Sequence, residues 1–151
     1  MDDNRKNRGE WIKKVVTINR ISKVVKGGRR MRFNALVVVG DGAGSVGYGY
    51  GKAGEVSSAI AKAEKRAMKS LIKISLRGSS IPYTITTKFG ASKVFLKPAR
   101  KGRGIVAAKP VRAVMEAAGI SDVVTKLFGS HNPLNVVKAT LTALSRSFEA
   151  E

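Results

Sequence analysis

Six cationic side chains crowd around one pair of glycines. Arg20, Lys23, Lys26, Arg29, Arg30 and Arg32 flank Gly27-Gly28. Arginine grips phosphate with a planar fork, and glycine lets backbone N–H groups come close to an anion. The chemistry to expect is capture of a polyanion rather than bond-making. Lys52, at the far end of the same segment (KGGRRMRFNALVVVGDGAGSVGYGYGK), joins this candidate set. A second basic loop, Lys97–Gly104 (KPARKGRG), carries Lys97, Arg100, Lys101 and Arg103. A third group, Lys62, Lys65, Arg66, Lys69 and Lys73, occupies one side of an amphipathic stretch, where it serves either contact or solvation.

The bulk charge gives these clusters their meaning. Twenty-nine Lys and Arg oppose ten Asp and Glu, a formal net charge of +19 in 151 residues. So large an excess repels itself in a folded chain, and a polyanionic partner relieves it. Nucleic acid is the leading candidate, and RNA or DNA contact is expected at the Lys26–Arg32 loop. No apolar run approaches the ~18 residues that span a bilayer, and the opening residues lack the apolar core of a secretory signal. Cysteine is absent, which excludes disulfides and thiolate metal sites. The cytoplasm is the expected compartment. The hydrophobic fraction, 43%, is that of a folded protein rather than a basic tail.

Several motifs resemble catalytic or nucleotide sites and fail on context. Gly42-Ala-Gly44-Ser-Val-Gly47 matches the dinucleotide fingerprint, but a Gly/Tyr strand follows where a helix must open. Gly51-Lys52 suggests a P-loop, yet Val46 stands at its first glycine and Ala53 at its magnesium-binding hydroxyl. Gly47-Tyr48-Gly49-Tyr50 resembles the base-stacking strand of RNA-recognition motifs. The expectation is instead that Tyr48 and Tyr50 pack between sheet and helix, with Gly47, Gly49 and Gly51 leaving a bare opposite face. His131 has no Cys or carboxylate cluster beside it. Glu64, Glu116 and Asp122 read as isolated, solvated or ion-paired acids. No catalytic set, metal site or cofactor is indicated, and an enzyme is not expected.

The elements that must hold these groups follow from periodicity. Met1–Gly9 is polar. Trp11–Val25 reads as a strand that admits a bulge, and Lys26–Arg29 as a turn. Met31, Phe33, Ala35, Val37 and Val39 alternate with Arg30, Arg32 and Asn34, as in a half-buried strand. Asp41-Gly42 marks a hairpin, and Val46–Gly51 returns as a third strand. Val56, Ile60, Ala63, Ala67, Leu71 and Ile74 then line one helix face over Gly54–Ser75. Leu76–Pro82 reads as a linker. Tyr83–Thr87 and Lys93–Leu96 form a hairpin, Pro110–Ala118 a helix closed by Gly119, and Ser121–Phe128 a strand. A last helix starts at Asn132-Pro133, with a stripe of Leu134, Val137, Leu141, Leu144 and Phe148. The fold class is α+β in two small domains, β-β-β-α and then β-β-α-β-α. Expected bounds are 1–9 (tail), 10–75, 76–82 (linker) and 83–151. Each half is marginal alone, so mutual packing or a partner is expected to help.

Jointly, VKGGRRMRF, LVVVGDGAGSVGYGYGKAGEV, KVFLKPARKGRGI, PVRAVMEAAGI and KLFGSHNPLNVVKAT closely resemble bacterial small-subunit ribosomal protein five, from about Glu10 to about Ser147. The resemblance implies a first domain similar to double-stranded-RNA-binding domains, although their usual first helix is not evident in Met1–Trp11. It implies a compact second domain of left-handed crossover, whose topology is shared with small-metabolite kinases without their phosphate loop. It further implies a structural constituent of the small ribosomal subunit in the cytoplasm, bound to 16S rRNA. The Lys26-Gly27-Gly28-Arg29 loop matches the family's rRNA-contacting loop, near the spectinomycin site. Arg100, Lys101, Gly102, Arg103, Gly104 and Arg112 match its contact with ribosomal protein four, which bears on translational accuracy. Ribosomal protein eight and mRNA near the entrance are the other implied neighbours. A membrane partner and a homo-oligomer are not expected. The rival functions are a free RNA chaperone or general duplex binder and, more remotely, a phosphoryl-transfer enzyme or a membrane-surface binder.

Overall fold

The computed structural model describes residues 11–74 and 76–149, without the side chains at 23–25, 29 and 146–149. The polar segment Met1–Gly9 lies outside the described residues. The fold is α+β with two four-stranded sheets. In the first sheet, β1 (Ile12–Val25), β2 (Gly28–Gly40), β3 (Ser45–Ala53) and β4 (Ile72–Lys73) lie in that order, all antiparallel. Helix α1 (Val56–Lys69) covers one face. The second sheet has the order β5 (Ile85–Phe89), β6 (Ser92–Pro98), β8 (Val123–Gly129), β7 (Ile105–Val106). Helices α2 (Lys109–Ala118) and α3 (Pro133–Glu149) accompany it.

Local signals account for most boundaries. Gly119 closes α2 at φ +91°, a conformation that only glycine adopts cheaply. Asn132 Oδ1 accepts from the Leu134 N–H at 3.1 Å, capping α3. The expected bulge in β1 falls at Val16, between the register pairs Val15↔Val37 and Thr17↔Leu36. Short β7, absent from the sequence reading, pairs parallel with β8 at Val123 and Val124.

Three sequence expectations are corrected here. First, the tyrosines and glycines of β3 face opposite ways from those assigned. A Cβ on Gly47, Gly49 or Gly51 would run into the backbone carbonyl of Ala67, Ala63 or Ala59. The glycines are thus the floor on which α1 lies, and its buried face is Ala59, Ala63 and Ala67. Tyr48 and Tyr50 face away, against the core shared with the second half. Small residues on both partners bring helix and sheet into backbone contact. Tyrosines in the same layer would hold them several ångströms apart.

Second, α1 stops at Lys69, and Leu71 and Ile74 lie beyond it. The Ser70 N–H bonds back to the Ala67 carbonyl at 3.1 Å, and the chain turns to add β4 beside β3. Third, β2 is half-buried only near its start. From Ala35 to Gly40 both faces are covered, by α1 on one side and the second half on the other.

The two halves share one hydrophobic core. Leu36, Val38 and Val46 of the first sheet join Val94, Leu96, Val114, Met115, Val137 and Leu144 of the second half. Residues 76–82 are also held: Ile81 is buried, Arg77 and Ser80 pair as a bridge, and the Ser80 hydroxyl accepts from the Ala99 N–H at 3.1 Å.

Candidate nucleic-acid interface

The β1–β2 hairpin outruns its sheet. Strand β3 pairs with β2 only as far as Phe33↔Ala53, so Gly28–Arg32 bond solely to Ile21–Val25. At about 3.3 Å per residue, this two-stranded arm extends ~16 Å beyond its last support. An isolated two-stranded hairpin is marginal in water, and this one exposes Ile21 at 41%.

Its chemistry is cationic. Arg20, Lys26, Arg30 and Arg32 are exposed. The side chains of Lys23 and Arg29 lie outside the described residues; their backbones pair with Arg30 and Val24. Arg30 and Arg32 alternate on the face that continues through Asn34 to Leu36 and Val38. Lys52 stands opposite Asn34 and joins that face from β3, also exposed. Arg20, opposite Phe33, belongs to the other face, its Nη2 resting 3.9 Å from the Met31 sulfur. Gly27 and Gly28 form the tip with φ +102° and +148°. A Cβ on either would meet nothing within 4 Å. Unlike the β3 glycines, these leave the backbone bare toward solvent.

The helix cluster divides on inspection. Lys62 Nζ and Arg66 Nη1 donate to the carbonyls of Lys52 and Tyr50, and Ser70 Oγ donates to that of Tyr48. Four helical residues rise about 6 Å and two strand residues about 6.6 Å. The side chains at 62, 66 and 70 therefore keep step with carbonyls 52, 50 and 48. All four of Lys62, Lys65, Arg66 and Lys69 are exposed, but Lys62 and Arg66 bond along the edge of β3 beyond its short pairing with β4.

The second basic loop is held by several hydrogen bonds. Arg100, Lys101, Gly102 and Arg103 are exposed, beside a shallow cavity of about 330 Å³ lined by Lys97, Pro98, Arg100 and Arg103. Arg112, on the first turn of α2, donates to the Ile105 carbonyl at 2.8 Å. Beneath Gly102 and Gly104 lies Asp122, 4% exposed. Its Oδ1 accepts from the Gly104 N–H at 2.8 Å and the Gly102 N–H at 3.0 Å, and its Oδ2 from the Ser79 hydroxyl at 2.5 Å. The Ser79 hydroxyl, then the Gly104 N–H, hold this carboxyl below the usual carboxylate range; burial opposes them, and the Gly102 N–H and the Lys101 charge assist. The reading of Asp122 as a solvated or paired acid is thereby corrected. Its partners are far away in sequence, so spacing carried no sign of them. Glu64 and Glu116 do pair, with Lys13 at 3.4 Å and Lys14 at 3.2 Å.

The turn that imitated a dinucleotide site joins the two halves. The Gly42 N–H donates to the Ala117 carbonyl and the Gly44 N–H to the Ala118 carbonyl, each at 3.0 Å. Its N–H groups are spent on the carbonyl end of a helix, the opposite of a pyrophosphate cradle.

Comparison with known proteins agrees with this architecture. The N-terminal domain family of ribosomal protein S5 matches residues 11–75, and its C-terminal domain family matches residues 87–151. The small ribosomal subunit protein uS5 of Lawsonia intracellularis (strain PHE/MN1-00) is 56% identical over 135 residues, 89% of this chain and 83% of the relative. The protein of the same name from Chloroflexus aurantiacus (strain ATCC 29364 / DSM 637 / Y-400-fl) is 55% identical over 136 residues, 90% of this chain and 76% of the relative.

Proposed function

This chain belongs to the ribosomal protein S5 family, and from that premise we propose that its basic arm anchors it to the rRNA of the small ribosomal subunit. It is a small-subunit ribosomal protein and not an enzyme. One observation carries the rRNA reading: a cationic two-stranded arm, tipped by bare glycine backbone, extends past the sheet that supports it. Arg20, Lys23, Lys26, Arg29, Arg30, Arg32 and Lys52 neutralise phosphates, while Gly27 and Gly28 admit the RNA backbone. Phosphate contacts fix position, and the folded shape of the RNA supplies selectivity.

The loop Arg100–Gly104 with Arg112 is the protein-contact surface, facing ribosomal protein four, with ribosomal protein eight as a further neighbour. Through that surface and a place near the mRNA entrance, the protein supports translational accuracy. Preorganisation favours this use, because a loop already held by Asp122 loses little freedom on docking.

The test is a salt titration of binding to small-subunit rRNA with Arg30→Gln and Arg32→Gln. Each lost phosphate contact lowers the log–log salt slope by roughly 0.7–0.9. An unchanged slope removes the arm from the interface. Equal affinity for any RNA duplex would favour a general duplex binder instead.

A further inference from the structure

We propose that Asp122 is a positioning residue that latches the basic loop 99–104 to the connector between the two halves, so that Arg100, Lys101 and Arg103 are presented as one rigid cationic surface for the protein contact proposed for this loop. The partner clause rests on the reading of this loop as a protein-contact surface; the latch itself does not.

Three segments distant in sequence meet at this carboxylate. Oδ1 takes both loop N–H groups, from Gly102 and Gly104, and Oδ2 takes the hydroxyl of Ser79 in the connector. The backbone doubles the link: the N–H groups of Ser121 and Asp122 both donate to the Ser79 carbonyl at 3.0 Å. On either side, the Ala99 N–H bonds to Ser80 Oγ and the Val123 N–H to the Gly104 carbonyl at 3.1 Å. Each end of the loop is thus tied, one to the connector and one to β8, with Asp122 bonded to the connector at Ser79 and to the loop at Gly102 and Gly104. The loop has no apolar anchor of its own between Arg100 and Gly104, so its shape rests on these polar bonds together with its own turn, in which the Arg103 N–H donates to the Arg100 carbonyl at 3.0 Å. A glycine-rich loop of three cations would otherwise sample many conformers, and ordering it on docking would weaken the contact. A buried carboxylate that accepts three hydrogen bonds needs no further partner and keeps the loop cations free to face outward.

The experiment is amide hydrogen exchange on the full chain, with limited trypsin digestion as a second probe of the same loop. In D122A, the Gly102 and Gly104 amides are expected to exchange at least tenfold faster, and trypsin to cut at Arg100, Lys101 or Arg103, while amides of Val137 and Leu141 in α3 stay protected. S79A and D122N, which keep an oxygen at the Oδ1 position, are expected to give smaller changes in the same amides. Unchanged loop exchange in D122A overturns the latch. Should D122A unfold as a whole, S79A and D122N decide. Loop-confined acceleration at an unchanged Tm supports the latch, and uniform acceleration across the chain overturns it. Charge reversal at Arg100 and Arg103 leaves the latch intact and tests the docking reading separately: unimpaired incorporation into small subunits removes that reading without touching the exchange result.

Discussion

The Gly42 N–H donates to the Ala117 carbonyl across the junction of the two halves, and Gly119 lies against the Gly42 carbonyl from the other side. A hairpin turn of the first sheet therefore caps the C-terminus of a helix in the second half. Asp41 stiffens the turn, its Oδ1 accepting from the Ala43 N–H at 2.8 Å and the Ser45 N–H at 3.0 Å. With the shared core beneath it, this joint sets the orientation of the basic arm relative to the basic loop.

Gly119→Ala tests the joint. The left-handed φ alone costs about 1–2 kcal/mol in a non-glycine residue, and the new methyl would overlap the Gly42 carbonyl. The expected loss is at least about 2 kcal/mol, with both halves melting together. Calorimetry checks it; a Tm within a degree of the parent would contradict the packing.

Glycines in β3 and at the arm tip should differ in what they disturb, packing in one case and RNA binding in the other. Gly49→Ala pushes the methyl into the Ala63 carbonyl and should cost about 1–3 kcal/mol as overpacking. Gly28→Glu meets open space, so its cost is the backbone strain of a side chain at φ +148°, about 1–3 kcal/mol borne by the two-stranded tip; its larger effect is weaker rRNA binding, from bulk and negative charge placed there. Melting curves paired with RNA titrations separate the two behaviours.

Arg66→Met removes the donor to the Tyr50 carbonyl while keeping most of the stem. The expected stability loss is about 1 kcal/mol, the net worth of one hydrogen bond. The larger effect is self-association, because an unpaired strand edge recruits other strands. Light scattering against concentration reads it, and a strictly monomeric variant would show that the edge needs no guard.

Asp122 makes stability depend on pH. Its folded pKa lies below its unfolded value near 3.8, so the unfolded chain binds the proton first as pH falls. Its contribution is complete above the unfolded pKa and is lost as pH falls through the folded one. In D122N the acid limb of the Tm profile below about pH 4 should flatten, with no change in slope near neutrality. A parallel profile for parent and variant would count against the buried contacts.

How much of this was legible in the chain differs residue by residue. Asn132 as a cap, Gly119 as a helix stop and Gly27-Gly28 as a turn were readable because each depends on its own few neighbours. The alternation in β2 was readable too, but the burial of both faces from Ala35 onward was not. It depends on what arrives from elsewhere. The face of Tyr48 and Tyr50 was not legible for a related reason: alternation separates two sets of side chains without saying which set meets the helix.

The sequence by itself determined the charge, the order of the longer strands and helices, and the cationic glycine tip, since composition and short-range periodicity are properties of neighbouring residues. Tertiary structure alone decided which basic residues are free. It committed Lys62 and Arg66 to a strand edge, set Asp122 beneath a loop twenty residues upstream, and turned an apparent dinucleotide motif into a helix cap. Each of these relations is a contact between residues distant in the chain. Such contacts form only once close packing brings those segments within hydrogen-bond reach, and no local pattern encodes that geometry.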